Sequence, residues 1–101
     1  MNKQEIMQKI KKAVEQDPLN EDIQRVALFG SHIHGNAKKD SDVDVLIEFT
    51  PTAKIGFFKF FDIQENMEKH LQKKVDLLTP EALSKFFRDK VLKEAEIIYE
   101  R

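Results

Sequence analysis

The chain has 101 residues, 41% of them apolar and 35% charged, with a net charge of -1 at pH 7 and no cysteine. That length suits one domain over residues 1–101 and excludes two independent cores, while the apolar content excludes a disordered chain. The near-neutral balance argues against a protein built mainly to neutralise nucleic-acid phosphates, and the missing cysteines exclude a disulfide framework, a thiolate metal site and a thiol nucleophile.

The N-terminal stretch MNKQEIMQKIKKAVEQ is too polar for a signal peptide, and no apolar run approaches the roughly 20 residues that span a bilayer. A cytoplasmic protein without membrane contact is the expectation. Ile6, Ile10, Ala13 and Val14 fall at helical spacing, and Asp17-Pro18 ends that first helix. Arg25 to Phe29 is a short β-branched and aromatic run stopped by Gly30, a strand leading into a turn. Ser31 to Asn36 is either a short serine-capped helix or an ordinary turn. Val43, Val45, Ile47 and Phe49 alternate with Asp44, Leu46 and Glu48, the period of a strand, which Thr50-Pro51 closes. Phe57, Phe60, Phe61, Gln64, Met67 and Leu71 mark a second long helix, and Lys74 to Leu78 a third strand. Thr79-Pro80 supplies a cap and a first-turn proline for a last helix carrying Leu83, Phe86, Phe87, Val91 and Leu92. Ile97-Ile98-Tyr99 is either the end of that helix or an edge strand. This order predicts an α/β (α+β) domain, a small mixed sheet of three to four strands backed by helices.

Residues two apart on a strand share a face, so Asp42 and Asp44 point together while Val43 and Val45 point into the helix layer. Asp76, between Val75 and Leu77, also faces away from its apolar neighbours. If the two strands pair, three carboxylates share one face. Like charges ~5 Å apart repel by roughly 3 kcal/mol at an effective dielectric near 20, a large part of a small domain's stability of ~5–15 kcal/mol. Divalent cations would relieve that cost, and hard oxygen ligands suit Mg²⁺ or Mn²⁺. The other reading has all three as solvated edge residues that never meet. Gly30-Ser31 reads either as an ordinary turn or as a place where backbone amides and a hydroxyl meet phosphate oxygens. A phosphate turn joined by one loop to a metal-binding Asp-x-Asp strand makes a nucleoside triphosphate site.

Gly-Ser, ten residues, then Asp-x-Asp resembles the signature of nucleotidyltransferases with the DNA polymerase β-like palm. With "RVALFGS", "SDVDVLIEF", "KKVDLLTPEAL" and "EAEIIYE", essentially the whole chain resembles the minimal nucleotidyltransferases, the MNT antitoxins paired with HEPN-domain toxins. The resemblance implies an enzyme in which Gly30 and Ser31 hold the triphosphate tail of ATP, while Asp42 and Asp44 ligate two metal ions, Mg²⁺ or Mn²⁺. Asp76 then ligates the catalytic metal and helps deprotonate the attacking hydroxyl. The implied reaction moves AMP from ATP to a tyrosine of a cognate HEPN toxin. A toxin neutralised by contact alone, or transfer to a small molecule or an RNA end, are the alternatives. One departure stands out: many relatives carry arginines where this chain has His32 and His34, and histidine is largely neutral at pH 7. The His-x-His pair also invites a zinc reading.

Lys38 and Lys39 are solvated loop charges or phosphate contacts, and His70 reads as a surface residue of the second helix. Six of the eight phenylalanines fall in "GFFKFF" and "KFF". Most are expected to fill a core that lacks tryptophan, with one or two left for a partner or a second copy of the chain.

Overall fold

The computed structural model describes residues 1–33 and 41–101. Helix α1 (Lys3–Gln16) begins where the Asn2 side chain accepts a hydrogen bond from the Glu5 N–H at 2.8 Å, satisfying one of the donors that a first helical turn leaves without a partner. Ile6, Ile10, Ala13 and Val14 form its buried stripe, and the helix ends at Asp17 before Pro18 as the sequence predicts. Asp17 is buried; its carboxylate accepts from the Leu19 N–H at 2.8 Å and from Asn66 Nδ2 at 3.0 Å. Asn66 Nδ2 also donates to the Ala13 carbonyl at 3.0 Å. One asparagine from the second helix thus closes the end of the first.

Strands β1 (Ile23–Phe29), β2 (Val43–Phe49), β3 (Val75–Leu78) and β4 (Glu96–Glu100) form one sheet in the order β3-β2-β1-β4. β1 starts two residues before the predicted Arg25. It pairs antiparallel with both β2 and β4, whereas β2 and β3 run parallel. Parallel neighbours need a crossover, and α2 (Phe57–Leu71) supplies it. Ile97-Ile98-Tyr99 belongs to the edge strand: Ile97 pairs with Ala27 and Tyr99 with Val26. Tyr99 Oη in turn lies 3.3 Å from Asn20 Nδ2, which donates to it.

Helices α1 and α2 pack together and cover one face of the sheet. Val26, Leu28, Val43, Val45, Ile47, Val75 and Leu77 meet Ile6, Ile10, Val14, Ile63, Met67 and Leu71 there in a single apolar cluster. Alternation sends Ala27, Asp44, Leu46 and Asp76 to the other face. Helix α3 (Lys85–Glu94) lies beside that outer face, where Leu92 and Ala95 line a shallow cleft with Ala27, Leu46 and Ile97; no residue of α3 is buried. Among the described residues, no helix is long and apolar enough to cross a membrane.

Two expectations need correction. Thr79-Pro80 does not open the last helix. Pro80–Ala82 is a separate 3₁₀ turn, Leu83 is extended, and Ser84 caps α3 by accepting from the Phe86 N–H at 3.3 Å. The Arg88 guanidinium holds this arrangement, donating to the carbonyls of Pro80 at 2.8 Å and Leu83 at 3.1 Å, which a continuous helix would have used itself. Nor do the phenylalanines fill the core. Phe57, Phe58, Phe61, Phe86 and Phe87 are exposed, Phe86 at 93%. The buried stripe of α2 begins at Ile63, and of the four phenylalanines before it only Phe60 packs against the core. Phe60 is half-buried and meets Phe49 edge to face at 6.3 Å, while Phe57 and Phe61 pair with each other at 4.6 Å. Aliphatic side chains from the strands already occupy the space the aromatics were expected to fill.

Candidate active site

The antiparallel pairing of β1 and β2 sets Phe29 opposite Asp44, so the chain leaves β1 beside that carboxylate. It turns at once. Gly30 has φ of 80°, in the left-handed region, and residues 30–32 form a 3₁₀ turn closed by the Ile33 N–H on the Gly30 carbonyl at 3.0 Å. A Cβ on Gly30 would overlap Asp44 Oδ2 and lie 2.9 Å from its Cγ. Glycine is therefore required twice here, for its backbone angle and for the close approach. The turn also aims the Ser31 N–H at the Asp44 carboxylate, which accepts its hydrogen bond.

The parallel pairing of β2 and β3 sets Asp44 opposite Asp76, at the strand spacing of about 5 Å. Asp42 stands just before β2 and is exposed, as is Asp76, whereas Asp44 is half-buried. Burial is the first cause that pushes the Asp44 carboxyl above the ordinary aspartate range. The charges of Asp76 and then Asp42 push it further, and the Ser31 amide acts the other way. The like-charge tension inferred from the sequence falls on the half-buried Asp44. Among the described residues, no three His, Asp or Glu side chains stand close enough to form a ready metal cage. The donor chemistry still suits a hard divalent cation: Asp44 is held by one amide hydrogen bond and faces two further carboxylates.

His32, in the same turn, is half-buried, and its Nδ1 has no hydrogen-bond partner among the described residues. Burial first and the Lys73 ammonium second push its pKa down, so the ring is neutral at pH 7. Lys73 comes from the loop before β3 and was not singled out in the sequence; only the fold brings it to the turn. His34, Lys38, Lys39 and the rest of the predicted Ser31–Asn36 helix beyond Ile33 lie outside the described residues, as does the zinc reading that needs His34. His70 stands away from the site and is half-buried, its Nδ1 3.0 Å from the Asn66 carbonyl.

A second feature escaped the sequence reading. A cleft of about 290 Å³ opens beside Gly30, between the end of β1 and α3, with Phe29, Ile33, Phe87 and Val91 in its wall. Phe29 and Phe87 are far apart in sequence, and no periodicity links them.

The family model described as "Polymerase beta, Nucleotidyltransferase" matches residues 8–101. The protein adenylyltransferase MntA of Thermococcus cleftensis is 35% identical over 72 residues, 71% of each chain. A solved structure provisionally described as a minimal nucleotidyltransferase superposes with a TM-score of 0.73 at 28% identity, covering 94% of both chains. The fold also matches a chain in the structure of a tri-AMPylated Shewanella oneidensis HEPN toxin in complex with MNT antitoxin. There the TM-score is 0.66 at 18% identity, over 97% of this chain and 72% of that one. Family match, fold and the Gly-Ser/Asp-x-Asp corner agree: the chain belongs to the polymerase beta nucleotidyltransferase family and is a nucleotidyltransferase of the minimal, MNT type.

Proposed function

We propose that this protein transfers AMP from ATP to a hydroxyl of a protein acceptor, a tyrosine of a HEPN-type toxin that the modification silences. The observation that carries this reading is the half-buried Asp44, pressed against Gly30 and facing Asp76 across β2 and β3. A pure binding protein has no use for a carboxylate whose ionisation its neighbours oppose. The name of the Thermococcus relative and the AMPylated toxin in the Shewanella complex support the choice of acceptor.

In this reading Gly30 and Ser31 receive the triphosphate tail, Gly30 because nothing projects from its Cα. Asp42, Asp44 and Asp76 would hold two Mg²⁺ ions, or Mn²⁺ in their place. Bound there, the ions would supply charge neutralisation of the phosphates and a lowered pKa for the hydroxyl. Asp76 accepts the proton of the acceptor hydroxyl. The freed oxygen bonds to the α-phosphorus, the bond from that phosphorus to the bridging oxygen breaks, and pyrophosphate leaves with the electron pair. The exposed phenylalanines favour a second role, direct contact with the partner, which would neutralise it without chemistry.

Labelled ATP and Mg²⁺, incubated with this protein and the product of its neighbouring gene, separate the two. Transfer of label to the partner, lost with Asp44→Asn, is expected. A complex that forms without transfer, and that Asp44→Asn neutralises equally well, would leave only the contact reading.

A further inference from the structure

The site has a direction across the sheet. Gly30 and Ser31 follow β1, Asp44 is on β2 and Asp76 on β3, and β3 is the outermost strand on that side. An in-line displacement puts the attacking hydroxyl and the leaving pyrophosphate on opposite sides of the α-phosphorus. With the triphosphate tail at Gly30-Ser31, the acceptor arrives from the β3 side. Two hydrogen bonds fix what it meets there. The Lys74 carbonyl accepts from the Val43 N–H at 3.0 Å, which carries the β2–β3 ladder one residue ahead of Val75. The Val75 N–H in turn donates to Glu68 Oε2 of α2 at 2.9 Å. With this backbone held, Lys74 follows the alternation of the strand and stands on the same face as Asp76, about 6.5–7 Å along it. Lys74 is exposed, whereas its neighbour Lys73 is half-buried and acts on His32 in the turn. Among the described residues, the ion pairs join Lys3 to Glu96 and Arg25 to Glu48 and Glu100, and none involves Lys74.

We infer that Lys74 selects the acceptor: its ammonium receives a carboxylate of the partner protein that lies within about 7 Å of the hydroxyl to be modified. The inference rests on the transferase reading and adds to it a requirement on the acceptor's own surface. Exposed lysines are usually solvated, and this one is set apart by its place on the route that in-line attack leaves to the acceptor. A hydroxyl flanked by an acidic side chain gains a charge-assisted hydrogen bond at Lys74. Asp42 and Asp76 would otherwise repel that side chain, so the lysine is what admits it. A hydroxyl flanked by lysine or arginine meets a like charge instead.

Transfer kinetics with labelled ATP, Mg²⁺ and the product of the neighbouring gene test this on the full chain. Lys74→Ala is expected to raise the KM for the partner about tenfold, the loss of one charge-assisted hydrogen bond, with kcat and the KM for ATP unchanged. Lys74→Arg should restore the KM, and added salt should weaken the wild type more than Lys74→Ala. Both variants should fold, since the side chain is exposed and the ladder uses the backbone carbonyl. Lys74→Glu should lose the partner and regain it when the acidic residue nearest the partner's hydroxyl is changed to lysine. An unchanged KM for the partner overturns the inference, as does a KM for ATP that rises equally, which would give Lys74 to the donor. A fall in kcat alone also overturns it, leaving Lys74 as a group that acts through Asp76. Wild-type protein that transfers AMP while Lys74→Ala keeps its KM would sink the acceptor role alone; wild-type protein that transfers nothing would sink the transferase reading and this inference with it.

Discussion

Asp44 and Asp76 stand directly opposite each other on parallel neighbouring strands, and the half-buried Asp44 carries the cost. Because its carboxyl is pushed up in the folded state, the fold binds that proton more tightly than the unfolded chain does. The resulting stabilisation is present at low pH and is lost as pH rises from about 4 through the raised value. At pH 7 the ionised group is therefore a net cost. Asp44→Asn is expected to abolish AMP transfer yet raise stability at pH 7 by about 0.5–2 kcal/mol. The Asn side chain can still accept from the Ser31 N–H. Urea unfolding at several pH values checks this: the advantage of the variant should vanish near pH 3.

The same carboxylates make stability depend on divalent cations. Mg²⁺ at a hundredfold excess over its dissociation constant should add about 2.7 kcal/mol to the wild type, and nothing comparable to Asp44→Asn. EDTA should stop transfer while leaving the far-ultraviolet circular dichroism unchanged. A thermal melt with the same Mg²⁺ shift in both proteins would contradict the metal assignment.

Gly30→Ala places a methyl group into Asp44 and forces alanine to φ of 80°. A loss of about 1–3 kcal/mol is expected, together with loss of AMP transfer, because the turn can relieve the overlap only by moving the Ser31 amide. Chemical denaturation and a transfer assay on the same sample check both. Gly56→Ala is the control, since a Cβ there meets nothing within 4 Å.

His32 predicts a pH effect of the opposite sign to Asp44. Burial and Lys73 hold its pKa down, so the folded state resists charging the ring. The corresponding stability is present above the unfolded value, about 6.5, and is lost as pH falls through the lower folded value. Denaturation curves of wild type and His32→Gln should therefore converge in shape above pH 7 and separate below about 6.5, the wild type losing more.

The exposed aromatics predict a contrast in stability. Leu71→Ala, at a fully buried position, should cost about 2–5 kcal/mol. Phe86→Ala, with its ring 93% exposed, should stay within about 0.5 kcal/mol. If Phe86→Ala instead weakens the complex with the partner protein, the ring belongs to that interface.

Local pattern alone determined α1, β2 and α2 and picked out Asp42, Asp44, Asp76 and the Gly30-Ser31 turn as candidates. Alternation along Val43–Phe49 already decides that Asp44 faces away from Val43 and Val45, since the period of a strand is a property of its backbone. What stayed open required knowing which strands are neighbours. Register across β2 and β3 sets Asp76 opposite Asp44, and register across β1 and β2 brings Gly30 against the same carboxylate. The start of α3 at Ser84 depends on Arg88 taking the carbonyls of Pro80 and Leu83, a choice the strong Thr79-Pro80 signal could not reveal. The misplaced phenylalanines have the same origin. Hydrophobicity says that a residue would prefer burial, but aliphatic side chains of the sheet and of α1 and α2 make up the core, and most of the phenylalanines lie outside it. Chemistry carried by one strand or one turn is written in consecutive residues; the packing of side chains from distant segments is decided only when the chain has closed around its core.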